Sequence, residues 1–266
     1  DQDVQSMIDE ICSSVDARSM MRHLEAFAQK IKLSGTEEEL SSFAYLRSEL
    51  EALGLRTELI LHDAYISLPG KAQIAIGNGM PDCITHSFSR SSGPAGVRAQ
   101  VVYAGHGTPD DFAKIDARGK IILLENIANP AASLRASQAG AIGQIHISPL
   151  RHLYEMCISP VWGSPTPQQL DLLPKTVVLS LRNADGAALR ARVLAGEKVE
   201  ATLHAEVDTG WRKTPILEAN LDAVGSGSDG SFVMFSGHHD TWYYGVMDNG
   251  SANATMLEVA RLFAPR

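Results

Sequence analysis

A chain of 266 residues is long enough for one large or two ordinary domains with a sizeable core. Hydrophobic residues make up 44% and charged residues 20%, a globular composition that excludes a disordered chain. The net charge of -8 argues against a nucleic-acid partner, and no apolar run reaches the roughly 18 residues that span a bilayer.

Val4, Ile8, Ile11 and Val15, and then Met20, Leu24, Phe27 and Ile31, recur at helical spacing and predict two amphipathic helices. Thr36-x-x-Glu39 is a capping box that opens a third helix. Its core face would be Leu40, Phe43, Leu46, Leu50 and Leu53, and Gly54 would stop it. Arg56 to His62 then alternates as a half-buried strand. From Gly70 to Pro94 the chain is rich in Gly, Pro and Ser and holds no sustained period. Strand-like runs follow at Gln100–Tyr103, Lys120–Leu124, Gly143–Ile147, Thr176–Leu181 and Val199–Val207. Between them lie a short helix from Pro130 to Gly140 and another from Asp185 to about Gly196. This texture predicts a β-rich insert over 70–208, with 1–69 and 209–266 forming one α/β domain around it.

Leu217–Val224 is a further strand candidate, and the Gly225–Gly230 run is read as a hairpin turn. Phe232–Phe235 is an apolar run of the kind found in buried central strands. The three cysteines, Cys12, Cys83 and Cys157, are scattered and form no CxxC pair. That indicates neither a cysteine-rich zinc site nor a disulfide scaffold, and leans slightly towards a reducing, cytoplasmic compartment. A secreted protein with its leader removed stays open, because the sequence begins at Asp1.

The densest chemistry lies in Ser236-Gly-His-His-Asp-Thr-Trp-Tyr-Tyr-Gly-Val-Met-Asp-Asn-Gly-Ser251. His238 and Asp240 would emerge at a strand's carboxyl end, the edge where open α/β sheets bind ligands. Asp248 would stand just before a helix from about Ser251 to Phe263. Imidazole nitrogen with carboxylate oxygen is a normal ligand set for zinc. By spacing alone the bland reading stays open: His-His capping backbone groups, and Asp248-Asn-Gly as an ordinary turn.

Gly237-His-His-Asp-Thr-Trp, Met247-Asp-Asn-Gly-Ser-Ala-Asn-Ala and Leu257-Glu-Val-Ala-Arg together resemble the zinc aminopeptidase family that also holds glutamate carboxypeptidase. Asp116-Ala-Arg-Gly-Lys-Ile-Ile-Leu-Leu, with Ala139-Gly-Ala-Ile-Gly, resembles the protease-associated domain inserted in many of these peptidases. Ser34-Gly35-Thr36 and Leu53-Gly54-Leu55 are similar to the family's N-terminal segment.

The resemblance implies a mixed-sheet α/β exopeptidase domain, incomplete at its C-terminus, with a protease-associated insert. His238 would ligate one zinc, Asp248 would bridge two, and Asp240 would serve catalysis by orienting His238. The same likeness implies a cis peptide at Asp248–Asn249. Trp242, Tyr243 and Tyr244 follow the ligand directly and are read as a substrate rim for a peptide, with plain core or surface aromatics the alternative. His106 and His146 are read as structural, and the sequons at Asn249 and Asn253 are discounted as glycosylation sites. The family's Glu-Glu pair, further acidic ligand and second histidine fall beyond Arg266. The expectation is therefore a truncated chain that holds zinc weakly or not at all and is inactive alone. The alternative readings are a non-catalytic, receptor-like protein and an interaction module that works through its insert. A homodimer also stays open.

Overall fold

A computed structural model describes residues 2–223 and 230–264. The chain divides into two compact units, Asp1–Asp63 with Arg212–Arg266, and Ala64–Trp211.

The first unit holds α1 (Gln2–Ser13), α2 (Ala17–Phe27), α3 (Glu37–Ala52) and α7 (Ala252–Phe263). Its core joins Phe27, Leu46, Ala254 and Leu257, with Met20, Leu24, Phe43 and Leu50 packed around them. The α1–α2 junction is tied to α7 by polar groups. The Asp16 N–H donates to Glu258 Oε1 at 2.7 Å, and Arg261 donates to the Ser14 carbonyl at 2.6 Å. Thr36 caps α3 as expected, accepting from the Glu39 N–H at 3.3 Å. Glu39, however, closes on the Gly35 N–H at 2.7 Å, one residue before the helix cap. The helix ends on left-handed Gly54, whose N–H reaches Glu51 while the Leu55 N–H reaches Leu50.

Three helical expectations are corrected. Val15 and Ile31 lie past the ends of α1 and α2, and Leu40 is 38% exposed on α3. The apolar stripe of α1 packs into no core of the unit: Val4 and Ile8 stay half exposed, and the helix buries no residue. Periodicity fixes which residues share a face, but a neighbour is needed to bury that face.

The second unit is built on a seven-stranded mixed sheet in the order β1-β7-β3-β4-β5-β6-β2. β3 (Val97–Tyr103), β4 (Ile121–Glu125), β5 (Gly143–Ile147) and β6 (Val177–Leu181) run parallel to one another. β2 (Cys83–Thr85) and β7 (Glu200–Asn220) join antiparallel at β6 and β3. The central strands are buried on both faces, which is why they read as continuous apolar runs. On one face Ile121, Leu123, Ile145, Leu179 and Leu189 of α6 (Asn183–Leu194) form the main cluster. On the other, Ile122 and Leu124 meet Ala132 and Ala136 of α5 (Pro130–Gln138). His146 is fully buried beside Gln144, and His106 pairs with Asn126. A four-residue helix, α4 (Pro109–Phe112), follows β3.

Two strands are far longer than the sequence suggests. β1 (Arg56–Ile76) continues through Gly70, so 70–76 is strand and not irregular chain. A Cβ at Gly70 would lie 2.8 Å from the Glu206 carbonyl, so glycine permits this close approach of β7. β7 likewise fuses the two runs read as Val199–Val207 and Leu217–Val224, ending at Asn220.

The largest correction concerns Phe232–Phe235. These side chains are 62 to 84% exposed, and no strand is assigned to them. A strand exists only where a neighbour completes its ladder, and none of the described residues does so here. The turn read at Gly225–Gly230 lies, apart from Gly230, outside the described residues.

Truncating Leu257 to Ala should cost about 2–5 kcal/mol by opening the α2–α3–α7 core. Met21→Ala on the exposed side of α2 should stay within about 0.5 kcal/mol. Urea unfolding of both variants checks the contrast.

Candidate metal centre

The site is built from one continuous stretch, 237–253, and from the N-terminal segment 27–42. Gly237 opens it: a Cβ there would meet Asn249 Nδ2 at 2.9 Å and Asn253 Oδ1 at 3.2 Å. Gly245 closes the turn in the left-handed region, and a Cβ there would lie 1.9 Å from Thr241 Cγ2. Both positions therefore require glycine. The Gly250 N–H returns to the Gly245 carbonyl at 3.0 Å and leads into α7. The peptide bond between Asp248 and Asn249 is cis.

His238 lies between two carboxylates. Its Nδ1 faces Asp240 Oδ1 at 3.1 Å and the Asp240 carbonyl at 3.0 Å, while its Nε2 faces Asp248 Oδ1 at 3.0 Å. Partial burial works to lower the pKa of the ring, but the Asp240 carbonyl, the charge of Asp240 and the Asp248 carboxylate outweigh it and raise it. Ser34 Oγ donates to the other oxygen of Asp240, fixing the carboxylate that fixes the ring.

His239 points the opposite way, into the core. It is buried, edge-on to Phe27 and Phe43 at ring separations of 4.9 and 5.1 Å. Asn253 Nδ2 donates to His239 Nδ1 at 2.9 Å, so Nε2 carries the proton and donates to Ser42 Oγ at 2.7 Å. Burial first, and the nearby Lys32 charge second, push its pKa down to about 4. The same Asn253 amide donates to the His238 carbonyl at 2.8 Å. Asn253 is 4% exposed with its amide engaged, which leaves no room for a glycan.

Zinc holds imidazole nitrogen and carboxylate oxygen at about 2.0–2.2 Å, so two ligand atoms on one tetrahedral ion stand roughly 3.3 Å apart. The separation of 3.0 Å between His238 Nε2 and Asp248 Oδ1 is close to that value. A carboxylate behind the far ring nitrogen is the arrangement that orients a metal-bound histidine. These residues thus fit one side of a zinc centre. Among the described residues no group of three or more His, Cys, Asp or Glu surrounds a common point.

Trp242, Tyr243 and Tyr244 follow directly on the exposed side of the turn, with Tyr243 in the left-handed region. Sequence reading missed Lys32, Ser34, Ser42, His239 and Asn253 as parts of the site. Ser34-Gly35-Thr36 marked the right segment, but spacing offers no signal across some two hundred residues.

The fold is the mixed α/β fold of solved zinc aminopeptidases. Residues 220–266 match peptidase family M28. It is 22% identical to a probable glutamate carboxypeptidase of Arabidopsis thaliana over 95% of this chain and 44% of that protein. It is 24% identical to a glutamate carboxypeptidase 2 homolog of Caenorhabditis elegans, over 66% of this chain and 32% of that one. Among solved structures, the aminopeptidase from Aneurinibacillus sp. strain AM-1 superposes with a TM-score of 0.74 at 23% identity, covering 96% of this chain and 60% of that one. A peptidase M28 precursor from Shewanella amazonensis gives 0.77 at 16% identity, covering the whole of this chain and 65% of that one. The chain therefore spans less than half of these curated relatives and about three fifths of these solved chains.

Glu39 provides a pH test of the support beneath the site. It is 5% exposed, and burial, partly offset by the Gly35 N–H and reinforced by the charge of Asp240, pushes its pKa up from 4.5 to about 7. Between those values the unfolded chain has lost the proton that the folded one keeps, so stability falls as pH rises and levels off above 7. Glu39→Gln should remove that slope, a change of about 2–3 kcal/mol across the window. Urea midpoints of both proteins from pH 4.5 to 7.5 measure it.

Proposed function

We propose that the protein is a metal-dependent exopeptidase acting on peptides, with aminopeptidase action the favoured direction. The observation that carries this reading is the His238 ring, held by Asp240 at one nitrogen and facing Asp248 with the other. In this reading His238 and Asp248 would hold zinc. Asp240 keeps the proton of His238 on Nδ1, leaving Nε2 free for the metal. Bound zinc would supply Lewis acidity towards a peptide carbonyl and towards water. Ser34 keeps Asp240 in place, and Trp242, Tyr243 and Tyr244 offer apolar faces to the substrate side chain beside the metal. Ala64–Trp211 is proposed to be a protease-associated domain inserted into the peptidase domain.

With two protein ligands in the described residues, this stretch of chain should hold zinc weakly by itself. The test uses the protein as its own cells make it, with peptides blocked at either the amino or the carboxyl end. The reading expects residues to be released from amino-open peptides, with loss on chelation and recovery on adding zinc. His238→Ala should abolish that turnover. Peptide release that survives both chelation and His238→Ala would contradict the reading. Absence of release from either peptide set would favour a receptor-like role.

A further inference from the structure

Lys32 is the one buried lysine among the described residues, at 1% exposure. All of its side-chain hydrogen-bond partners are carbonyl oxygens. Nζ donates to Phe27 at 2.7 Å, to Lys30 at 3.0 Å and to Tyr244 at 3.4 Å. An ammonium has three donors and no acceptor, so three carbonyls match its hydrogen-bonding capacity. Burial holds its pKa below the ordinary lysine value. A cation taken out of water is costly unless hydrogen bonds replace those to water, and these carbonyls replace them.

What Lys32 organises is the turn that follows His238. The main chain of Lys32 grips the same turn: the Thr241 N–H donates to the Lys32 carbonyl at 2.7 Å, and the Lys32 N–H to Thr241 Oγ1 at 3.3 Å. Thr241 Oγ1 in turn donates to the Tyr243 carbonyl at 3.1 Å. Lys32 thus holds the turn at both ends, at Thr241 by its backbone and at Tyr244 by its ammonium. Gly245 begins immediately after, and the Gly250 N–H is anchored on the Gly245 carbonyl. His238 lies three residues before the first anchor and Asp248 four residues after the last.

We infer that Lys32 is a positioning residue for the metal centre, its buried ammonium setting the turn that brings His238 and Asp248 to face one another. This rests on the metal-binding reading of those two residues and assigns them a support that touches neither. A hydrophobic residue could fill the same volume, but it could not draw the Tyr244 carbonyl inwards. Two fixed ends leave the turn a single length to span, which is how the separation between the two ligands is held.

The test is cobalt(II) binding to the full protein, read by the visible absorption bands that report ligand geometry. Lys32→Met keeps the apolar stem and removes the ammonium. It should weaken cobalt affinity at least about tenfold, the lower end of what loss of a ligand's supporting partner costs. It should also change the band positions. Leu257→Ala, which loosens the neighbouring core without touching the turn, should keep both affinity and spectrum at conditions where it is folded. Unchanged cobalt affinity and spectrum in Lys32→Met would overturn the inference while leaving the metal reading intact. No cobalt bands in the unaltered protein would overturn the metal reading, and this inference with it. If Lys32→Met does not fold, acylation of the unaltered protein decides. Lys32 should resist the reagent while exposed Lys30 reacts, and equal reactivity would refute the buried clamp.

Discussion

The stretch that carries the candidate metal site depends on one constraint: buried polar groups must find partners, and here Lys32 and Ser42 supply them from the far end of the chain. His239, Lys32, Ser42 and Asn253 are all buried, and each is hydrogen-bonded within the first unit. Leaving one such group unmatched costs about 1–3 kcal/mol, so these pairings specify one path for the chain and disfavour others. The result is a histidine pair divided between two tasks. His239 anchors the main chain in an aromatic pocket, and its neighbour His238 is thereby turned outwards to Asp240 and Asp248.

This division explains why the site is stiff where it is exposed. The side chains of His238 and Asp248 stand largely in solvent, at 54 and 85% exposure, and such groups are ordinarily mobile. Their backbone is another matter. The His238 carbonyl accepts from Asn253, Thr241 is paired with Lys32, and Gly245 with Gly250. A ligand pair on a fixed backbone loses little freedom when a cation arrives, and preorganisation of this kind favours binding.

The parts legible in the sequence are those whose signal is local. Gly143–Ile147 reads as a strand with the bounds it has, because a buried parallel strand is an uninterrupted apolar run. Thr36 and Gly54 mark the two ends of α3 through capping chemistry that acts within four residues. His238, Asp240 and Asp248 lie on one short stretch that the family resemblance singled out where spacing alone did not, and the structure brings the three side chains together. Phe232–Phe235 carries an equally clear run and is exposed, because burial belongs to the neighbours and not to the run itself. The stripe of α1 fails in the same way. The roles of Lys32 and Ser34 were beyond reach for a different reason: Tyr244 and Asp240, which they hold, lie more than two hundred residues away, and the resemblance of Ser34-Gly35-Thr36 marked the segment without its partner.

The central claim is that a divalent metal sits between His238 Nε2 and Asp248, with Asp240 behind the ring. Diffraction at the zinc absorption edge from crystals grown with zinc tests it most directly. The account predicts an anomalous peak within bonding distance of both His238 Nε2 and an Asp248 oxygen, with Asp240 still on Nδ1. A peak elsewhere, or His238 turned to another partner with no metal at Nε2, would contradict it.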